Sequence, residues 1–158
     1  RAVADRAIAA GYDLMVADRL ALFFYLPFGH SEDLADQERS VALAERLGEP
    51  GLVLLDVRRR DEFEGGVVAS CDPRPGRIPG ARHLDVAELL AAADVEAVQA
   101  LVGEPVGTEI VAYCHSGSRS AMAVRVLELA GYRARNYLGS WHAWSRRPEL
   151  PAETGASA

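Results

Sequence analysis

Two short runs of consecutive apolar residues constrain the fold of this chain most strongly. They are Leu52–Leu55 and Ile110–Tyr113. Such runs are typical of strands buried on both faces of a sheet. Shorter strands are predicted at Ala81–Leu84 and Ala134–Leu138. Helical patterns lie between the strands, and this alternation predicts an α/β fold with a mainly parallel sheet covered by helices on both faces.

The helices of this α/β region follow from apolar periodicity and from stop signals. The segment Gly65–Gly80 is rich in glycine and proline and is predicted to be a long loop. Gly131 marks the end of one helix. The predicted helices are Arg60–Glu64, Val86–Ala92, Asp94–Val102, Arg119–Ala130 and a short one that begins near Ser140.

The first 49 residues have a different pattern, which is helical throughout. The tetrapeptide Gly48-Glu49-Pro50-Gly51 stops a helix and opens a turn. We therefore expect a helical segment at residues 1–49 and the α/β domain at residues 50–158. Ser31 is the predicted N-cap of the last helix in the segment, whose apolar face is assigned to Leu34, Val41, Ala44 and Leu47. Because the chain begins at Arg1, we expect a fragment or a processed product.

Composition and charge exclude several classes of protein. The net charge of −6 argues against a general nucleic-acid binder. No stretch approaches the roughly 20 apolar residues that span a bilayer, so no membrane partner is expected. The two cysteines, Cys71 and Cys114, cannot form the disulfide framework of a small secreted protein. A reducing, cytoplasmic setting is the simplest expectation.

The most informative motif begins where the second apolar strand ends. Cys114 follows that strand, at the edge of the sheet where α/β ligand sites usually lie. Gly117 allows a tight turn whose backbone N–H groups can point inward. The next helix begins near Arg119, so its positive end and a guanidinium face the sulfur. All these features favour a thiolate and predict a lowered pKa for Cys114.

Other interpretations of the candidate residues stay open. Cys114 could be an inert buried cysteine. Cys71 lies in the glycine- and proline-rich loop and is interpreted as incidental, with a resolving or relay thiol as the alternative. Polar residues near the N-terminus could suggest a metal cluster, but N-caps and a solvated helix face explain them, and no metal site is expected. They are His30, Glu32, Asp33, Asp36 and Glu38.

Several motifs, taken in order, resemble the rhodanese family of sulfurtransferases over about residues 50–151. They are Leu54-Leu55-Asp56-Val57-Arg58, Glu62-Phe63, Gly76-Arg77-Ile78-Pro79-Gly80-Ala81, Tyr113-Cys114-His115-Ser116-Gly117-Ser118-Arg119-Ser120 and Gly139-Ser140-Trp141. The resemblance implies a five-stranded, mainly parallel sheet flanked by helices. It also implies a cysteine that cycles through a persulfide.

The resemblance assigns roles to individual positions. Cys114 matches the sulfur-accepting, catalytic cysteine. The substrate-binding residues are the loop whose amides hold the sulfur, the start of the next helix and a nearby aromatic residue: His115, Ser116, Gly117, Ser118, Arg119, Ser120 and Trp141. Asp56 and Arg58 are interpreted as structural, either as an ion pair at a strand end or as a helix cap.

Departures from the family pattern affect substrate preference more than fold. His115 stands where many thiosulfate-using members carry a fixed cation, Arg77 stands where histidine is common, and Leu138 replaces a commonly acidic residue. Related cysteine phosphatases use a loop one residue longer than the four residues between Cys114 and Arg119. A cysteine phosphatase or arsenate reductase is therefore the weaker alternative.

The expected function is sulfur transfer from thiosulfate or a related donor to cyanide or a thiol through a Cys114 persulfide. No cofactor is required. The alternatives are a persulfide carrier that passes sulfur to an acceptor protein, and a scaffold or regulatory domain. Residues 1–49 resemble part of an uncharacterised bacterial, all-helical family with tetratricopeptide-like packing. Helices that cannot complete a core alone are expected to dock on the neighbouring domain or to mediate assembly.

Overall fold

A computed structural model describes residues 34–156 of the chain. The predicted helices before residue 34, the Ser31 cap, and His30, Glu32 and Asp33 lie outside the described residues. Within them, helices and strands alternate in the order α1 (Leu34–Glu45), β1 (Leu52–Asp56), α2 (Arg60–Phe63), β2 (Arg82–His83), α3 (Val86–Ala91), α4 (Val95–Val102), β3 (Glu109–Tyr113), α5 (Ser118–Leu129), β4 (Arg133–Asn136) and α6 (Ser140–Ser145).

The sheet confirms the predicted α/β class. Its strand order is β2-β1-β3-β4, and all three neighbouring pairs are parallel. Asp56 at the end of β1 lies opposite Tyr113 at the end of β3. The loops that follow these two strands therefore emerge side by side at the carboxyl edge of the sheet.

The expectation of five strands is wrong for the described residues, whose sheet has four. The segment after α6 returns to the domain, where Arg77 and Glu153 exchange two backbone hydrogen bonds of 2.9 and 3.0 Å. This pairing is a single antiparallel bridge outside the sheet. One bridged residue pair fastens the end of the domain but does not extend into a strand.

Side chains along β3 alternate between two core clusters, as the period of a strand requires. Ile110, Ala112 and Cys114 belong to the first cluster, which also takes residues from α3, α4 and α5. Val111 and Tyr113 belong to the second, which takes residues from α1, α2 and α6. The sheet is thus covered on both faces, as predicted for a parallel sheet.

Helix α1 packs into the second cluster with a face that matches the predicted one in part. Ala44 and, just after the helix, Leu47 pack against this cluster as predicted, and the side chain of Leu34 lies outside the described ones. Leu43 is buried, and the Oγ atom of Ser40 lies 2.6 Å from the hydroxyl of Tyr137. Val41 is 40% exposed, so its assignment to the apolar face is wrong. The buried face also contains Ser40, a polar residue that apolar periodicity does not detect. The division at residue 49 stays a prediction.

Among residues 34–156, no helix combines the length and the apolar character that crossing a membrane requires.

Candidate active site

The thiol of Cys114 lies at the first residue after β3 and is fully buried. Strand β3 is central in the sheet, with β1 on one side and β4 on the other. Parallel strands place their carboxyl ends at one edge, which is where ligand sites of open α/β sheets form. The position of Cys114 predicted from the sequence is therefore confirmed, and its surroundings decide its chemistry.

The loop after Cys114 turns hydrogen-bond donors toward the sulfur. The backbone N–H of Gly117 donates to Sγ over 3.1 Å. The hydroxyl of Ser120 donates to the same atom over 3.4 Å and lies 3.2 Å from the Gly117 carbonyl oxygen. Both donors are buried, so they stabilise negative charge on the sulfur without competition from water.

Gly117 permits this turn because its backbone is left-handed, with φ of +89°. A Cβ atom at this position would lie only 2.8 Å from the carbonyl oxygen of Leu138. The Gly117 carbonyl accepts from the N–H of Ala121 and from the side-chain amide of Asn136, over 3.0 and 2.9 Å. The residue therefore meets both the conformational and the steric requirement for glycine.

The first residues of α6 satisfy the carbonyl groups of the loop. The N–H of Trp141 donates to the Cys114 carbonyl over 3.0 Å, and that of His142 to the His115 carbonyl over 2.9 Å. The Cys114 N–H in turn donates to the hydroxyl of Ser140 over 3.1 Å. Ser140 has an unusual φ of +52°. Because these carbonyls are held by α6, the amides further along the loop are free to face the sulfur.

Burial and hydrogen bonding act in opposite directions on the pKa of Cys114. Burial disfavours the charged thiolate and raises the pKa. Hydrogen bonds from the Ser120 hydroxyl and from the backbone N–H groups of Ser120, Ser116 and Gly117 favour the thiolate and lower it. The second effect is larger, so the pKa of Cys114 lies below its ordinary value. The sequence predicted this direction.

Arg119 carries the fixed positive charge of the site, and Glu62 neutralises it. Its two terminal nitrogens donate to the two carboxylate oxygens of Glu62 over 2.8 and 2.9 Å. This ion pair is the main reason why the pKa of Arg119 is raised, and attraction to Cys114 adds to it. In the sequence Glu62 stands out only as part of a family motif, because nothing in local spacing shows that α2 faces the start of α5.

His115 points toward the loop that contains Cys71, at residues 65–80, which we call the Cys71 loop. There the buried carboxylate of Asp72 contacts the imidazoles of His115 and His142. Nε2 of His115 lies 3.1 Å from Oδ2 of Asp72, and Nδ1 of His142 lies 2.8 Å from Oδ1. The side chain of Asp72 is only 2% exposed. Burial raises the pKa of Asp72, whereas its hydrogen bonds with the two imidazoles lower it. The lowering effect is the larger one, so the pKa of Asp72 lies below its ordinary value. No local pattern in the sequence predicts this cluster, because Asp72, His115 and His142 are far apart along the chain.

Trp141 contacts the site through its backbone N–H, while its side chain packs in the second core cluster. The ring is 1% exposed, and the guanidinium of Arg58 lies 5.2 Å from its centroid. Arg58 also pairs with Asp56 over 2.6 Å, with both side chains buried. The structural ion pair predicted for Asp56 and Arg58 is confirmed. Contact between Trp141 and a substrate stays a prediction.

The remaining predicted site residues lie on the same loop. Ser116 supplies a backbone N–H to the thiol, whereas Ser118, the first residue of α5, is exposed. Cys71 is exposed, and its Sγ lies 3.7 Å from Nε2 of His115. Cys71 is therefore not isolated in its loop but contacts the residue that follows the buried cysteine.

Fold and site together define a parallel α/β domain that holds an ionisable cysteine in a loop of inward-facing amides. A family model described as a rhodanese-like domain matches residues 41–147, and the chain belongs to this family. A second model, described as a bacterial protein of unknown function (DUF924), matches residues 1–62. It confirms that the N-terminal segment resembles an uncharacterised bacterial family.

Individual relatives carry sulfurtransferase names. The chain is 37% identical over 126 residues to a "Probable 3-mercaptopyruvate sulfurtransferase" of Pseudomonas aeruginosa, covering 73% of this chain and 44% of the relative. It is 31% identical over 132 residues to a thiosulfate sulfurtransferase of the same organism, covering 78% and 47%. The crystal structure of a "Probable Thiosulfate Sulfurtransferase" is 44% identical, with a TM-score of 0.61 over 70% of this chain and 46% of that one. The chain thus spans about half the length of these relatives.

Proposed function

We propose that this chain is a sulfurtransferase in which Cys114 accepts a sulfane sulfur from thiosulfate or a related donor and passes it to cyanide or a thiol. The single observation that carries this proposal is the set of hydrogen bonds that the Gly117 amide and the Ser120 hydroxyl donate to Sγ, over 3.1 and 3.4 Å. The sulfurtransferase names of the relatives support the same reaction class.

The first half-reaction forms the persulfide. The Cys114 thiolate attacks the outer sulfur of thiosulfate and forms a new S–S bond. The S–S bond of thiosulfate breaks, and sulfite leaves with the electron pair. The negative charge that was on Sγ now lies on the outer sulfur, within the same concave loop of N–H groups. This is covalent catalysis by an activated cysteine.

The second half-reaction empties the site. Cyanide or an acceptor thiolate attacks the outer sulfur, the persulfide bond breaks, and the electron pair returns to Sγ as thiolate. The products are thiocyanate or an acceptor persulfide. A site that stabilises the thiolate also makes Cys114 a good leaving group. Neither step requires a cofactor. The free thiolate needs a reducing setting, which agrees with the cytoplasmic location that we expect.

The decisive experiment measures thiocyanate formed from thiosulfate and cyanide, with intact-protein mass spectrometry after thiosulfate alone. Wild type is expected to turn over and to gain the mass of one sulfur atom. Cys114→Ser should lose both, while the matched variant Cys71→Ser should keep both. Turnover that survives in Cys114→Ser would contradict the proposal.

A second candidate function is a persulfide carrier that delivers sulfur to an acceptor protein. One observation favours it: the basic side chains of the loop face carboxylates, the Arg119 guanidinium facing Glu62 and the His115 imidazole facing Asp72. A small anionic donor therefore meets little uncompensated positive charge. A stable mass gain without thiocyanate turnover, followed by loss of that mass to a protein thiol, is the expected result for a carrier.

The weaker alternative, a cysteine phosphatase or arsenate reductase, makes a different prediction. In the present loop the Gly117 N–H is already bonded to Sγ. A phosphate group would need such amides for its own oxygens. We expect no hydrolysis of p-nitrophenyl phosphate above that of Cys114→Ser, and no reduction of arsenate.

For residues 1–49 we propose a packing role beside the rhodanese-like domain of residues 50–158. Helix α1 supports this role, because Leu43 is buried in the second core cluster and Ser40 meets Tyr137. Limited proteolysis of the full chain tests it. We expect residues 34–49 to resist cleavage, whereas their ready removal from a still-active core would contradict docking.

A further inference from the structure

Four side chains with metal-binding atoms converge beside the sulfur site. They are Cys71, Asp72, His115 and His142, and one potential ligand atom from each lies within 4.8 Å of all the others. Two come from one loop, one from the loop after β3 and one from α6. The sulfur transfer proposed above does not use these four side chains as a group.

The separations between these atoms are close to those found around a small tetrahedral cation. Zn²⁺ binds sulfur at about 2.3 Å and nitrogen or oxygen at about 2.0–2.2 Å, which places tetrahedral ligand atoms about 3.3–3.8 Å apart. Here Sγ of Cys71 is 3.7 Å from Nε2 of His115, which is 3.1 Å from Oδ2 of Asp72. Nδ1 of His142 is 2.8 Å from Oδ1 of Asp72. The first separation lies within this range. The two contacts of Asp72 are shorter, so both imidazoles would have to draw back from the carboxylate for all four side chains to bind one ion.

The donor types also favour this cation. One thiolate, one carboxylate and two imidazoles match the sulfur, oxygen and nitrogen ligands of zinc sites and differ from the all-oxygen sets of Mg²⁺ and Ca²⁺. The Asp72 carboxylate is 2% exposed, whereas Cys71 is exposed. An ion would therefore enter from solvent past Cys71 and reach a buried anionic ligand.

The backbone around the cluster is already fixed. The guanidinium of Arg74 donates to four carbonyl oxygens at distances from 2.7 to 3.1 Å, those of Trp144, Ser145, Arg147 and Leu150. The His142 N–H donates to the His115 carbonyl over 2.9 Å. Because these bonds hold the three segments together, little ordering is left for an ion to impose, and preorganised ligands bind metals more tightly.

We propose that Cys71, Asp72, His115 and His142 form a Zn²⁺ site that ties the loop after Cys114 to the Cys71 loop. This departs from the sequence-based expectation of no metal site. The sulfur chemistry needs no metal, and the site lies beside it rather than in it. In this proposal Cys71 is a metal ligand, whereas the sequence alone suggests that it is incidental.

The test uses the full chain with Cys114→Ser as background, because that substitution removes the competing thiol. Reduced, metal-free protein is titrated with Co²⁺, which reports thiolate ligation and tetrahedral geometry in its absorption spectrum, and then with Zn²⁺ against a chromophoric chelator. We expect one equivalent of Co²⁺ with a thiolate charge-transfer band, displaced by one equivalent of Zn²⁺. We also expect Zn²⁺ to raise the unfolding temperature, because it binds only the folded state.

Ligand variants in the same background locate the site. Cys71→Ser should abolish the charge-transfer band, and Asp72→Asn and His142→Gln should each weaken Zn²⁺ binding by more than about tenfold. Glu88→Gln removes an exposed carboxylate elsewhere and should leave binding unchanged. Circular dichroism confirms that each variant is folded, and Cys71→Ser changes only an exposed side chain.

Two results would overturn the proposal. One is an affinity that stays the same in Cys71→Ser, Asp72→Asn and His142→Gln. The other is metal binding that is present in wild type and lost in the Cys114→Ser background, since the ion would then be held by the buried cysteine. Neither result bears on sulfur transfer, which is measured on metal-free wild type.

Discussion

Arg119 donates to both carboxylate oxygens of Glu62, over 2.8 and 2.9 Å, so the fixed cation of the sulfur loop is part of a bidentate ion pair. The pair joins the short helix α2 to the first turn of α5. The sequence predicts the positive charge of Arg119 beside Cys114 but not the carboxylate that pairs with it. With Glu62 in place, the local charge is nearly balanced, and hydrogen bonds to the sulfur carry more of the thiolate stabilisation.

Glu62→Gln should make the site more reactive toward anionic donors. Loss of the carboxylate leaves the charge of Arg119 uncompensated, which lowers the pKa of Cys114 and attracts thiosulfate. We expect kcat/KM for thiosulfate to rise several-fold and the pH profile to move to lower pH. Glu64→Gln, which removes a carboxylate just after α2, is the control. A loss of activity as large as that of Arg119→Ala would show instead that Glu62 is needed to position the arginine.

Gly117→Ala should damage the sulfur loop. The residue has φ of +89°, and an added Cβ would lie 2.8 Å from the Leu138 carbonyl oxygen. We expect a loss of about 1–3 kcal/mol in the free energy of unfolding and a fall in activity of at least about tenfold, which corresponds to about 1.4 kcal/mol. Chemical denaturation and the thiocyanate assay measure the two effects.

Gly107→Ala is a matched control for this substitution. Gly107 has the same φ of +89°, but an added Cβ would meet no atom within 4 Å. It therefore shares the conformational cost without the collision and lies away from the sulfur. We expect a smaller loss of stability and unchanged sulfur transfer. Equal loss of activity in the two variants would refute a specific role for the Gly117 turn.

Ser120→Ala should raise the pKa of Cys114. The Ser120 hydroxyl donates to Sγ over 3.4 Å, and its hydrogen bond favours the thiolate. Without this hydrogen bond, fewer donors oppose the effect of burial, which raises the pKa of Cys114. The pH profile of the first half-reaction should therefore move to higher pH. The rate of persulfide formation from thiosulfate, measured across pH, reports the change. An unmoved profile would mean that the backbone amides alone set the ionisation.

Asp56→Asn should destabilise the domain strongly. Asp56 and Arg58 pair over 2.6 Å at 0% and 3% side-chain exposure, so the variant would leave a buried guanidinium without its counter-ion. Breaking a buried pair costs about 3–5 kcal/mol. The exposed pair of Arg59 and Asp61 is the control, and Arg59→Gln should cost less than about 1 kcal/mol. Similar costs for the two variants in thermal unfolding would contradict this account.

Local sequence patterns predicted most of the fold and the centre of the site. The apolar runs located β1 and β3, and Gly117 with Cys114 located the sulfur loop, because each depends on neighbours along the chain. β2 is shorter than predicted, at Arg82–His83, and β4 begins at Arg133. The ends of a strand depend on which residues of the neighbouring strand it pairs with, and the sequence of one strand alone does not determine that pairing.

The missed residues are those that tertiary contacts bring to the site. Asp72 and His142 lie 70 positions apart in the chain yet within 2.8 Å of each other. Glu62 reaches Arg119 across 57 positions. No periodicity or motif spacing connects such pairs. Apolar periodicity likewise assigns Val41 to the buried face of α1, whereas the polar Ser40 is buried against Tyr137 and Val41 is exposed.

The most direct test of the account is the pKa of the Cys114 thiol, measured from the pH dependence of alkylation by iodoacetamide in Cys71→Ser, where Cys114 is the only thiol. We expect a midpoint clearly below the ordinary value of about 8.5, with the thiolate fraction rising as pH increases through that midpoint. A midpoint at or above the value of a free cysteine would contradict it.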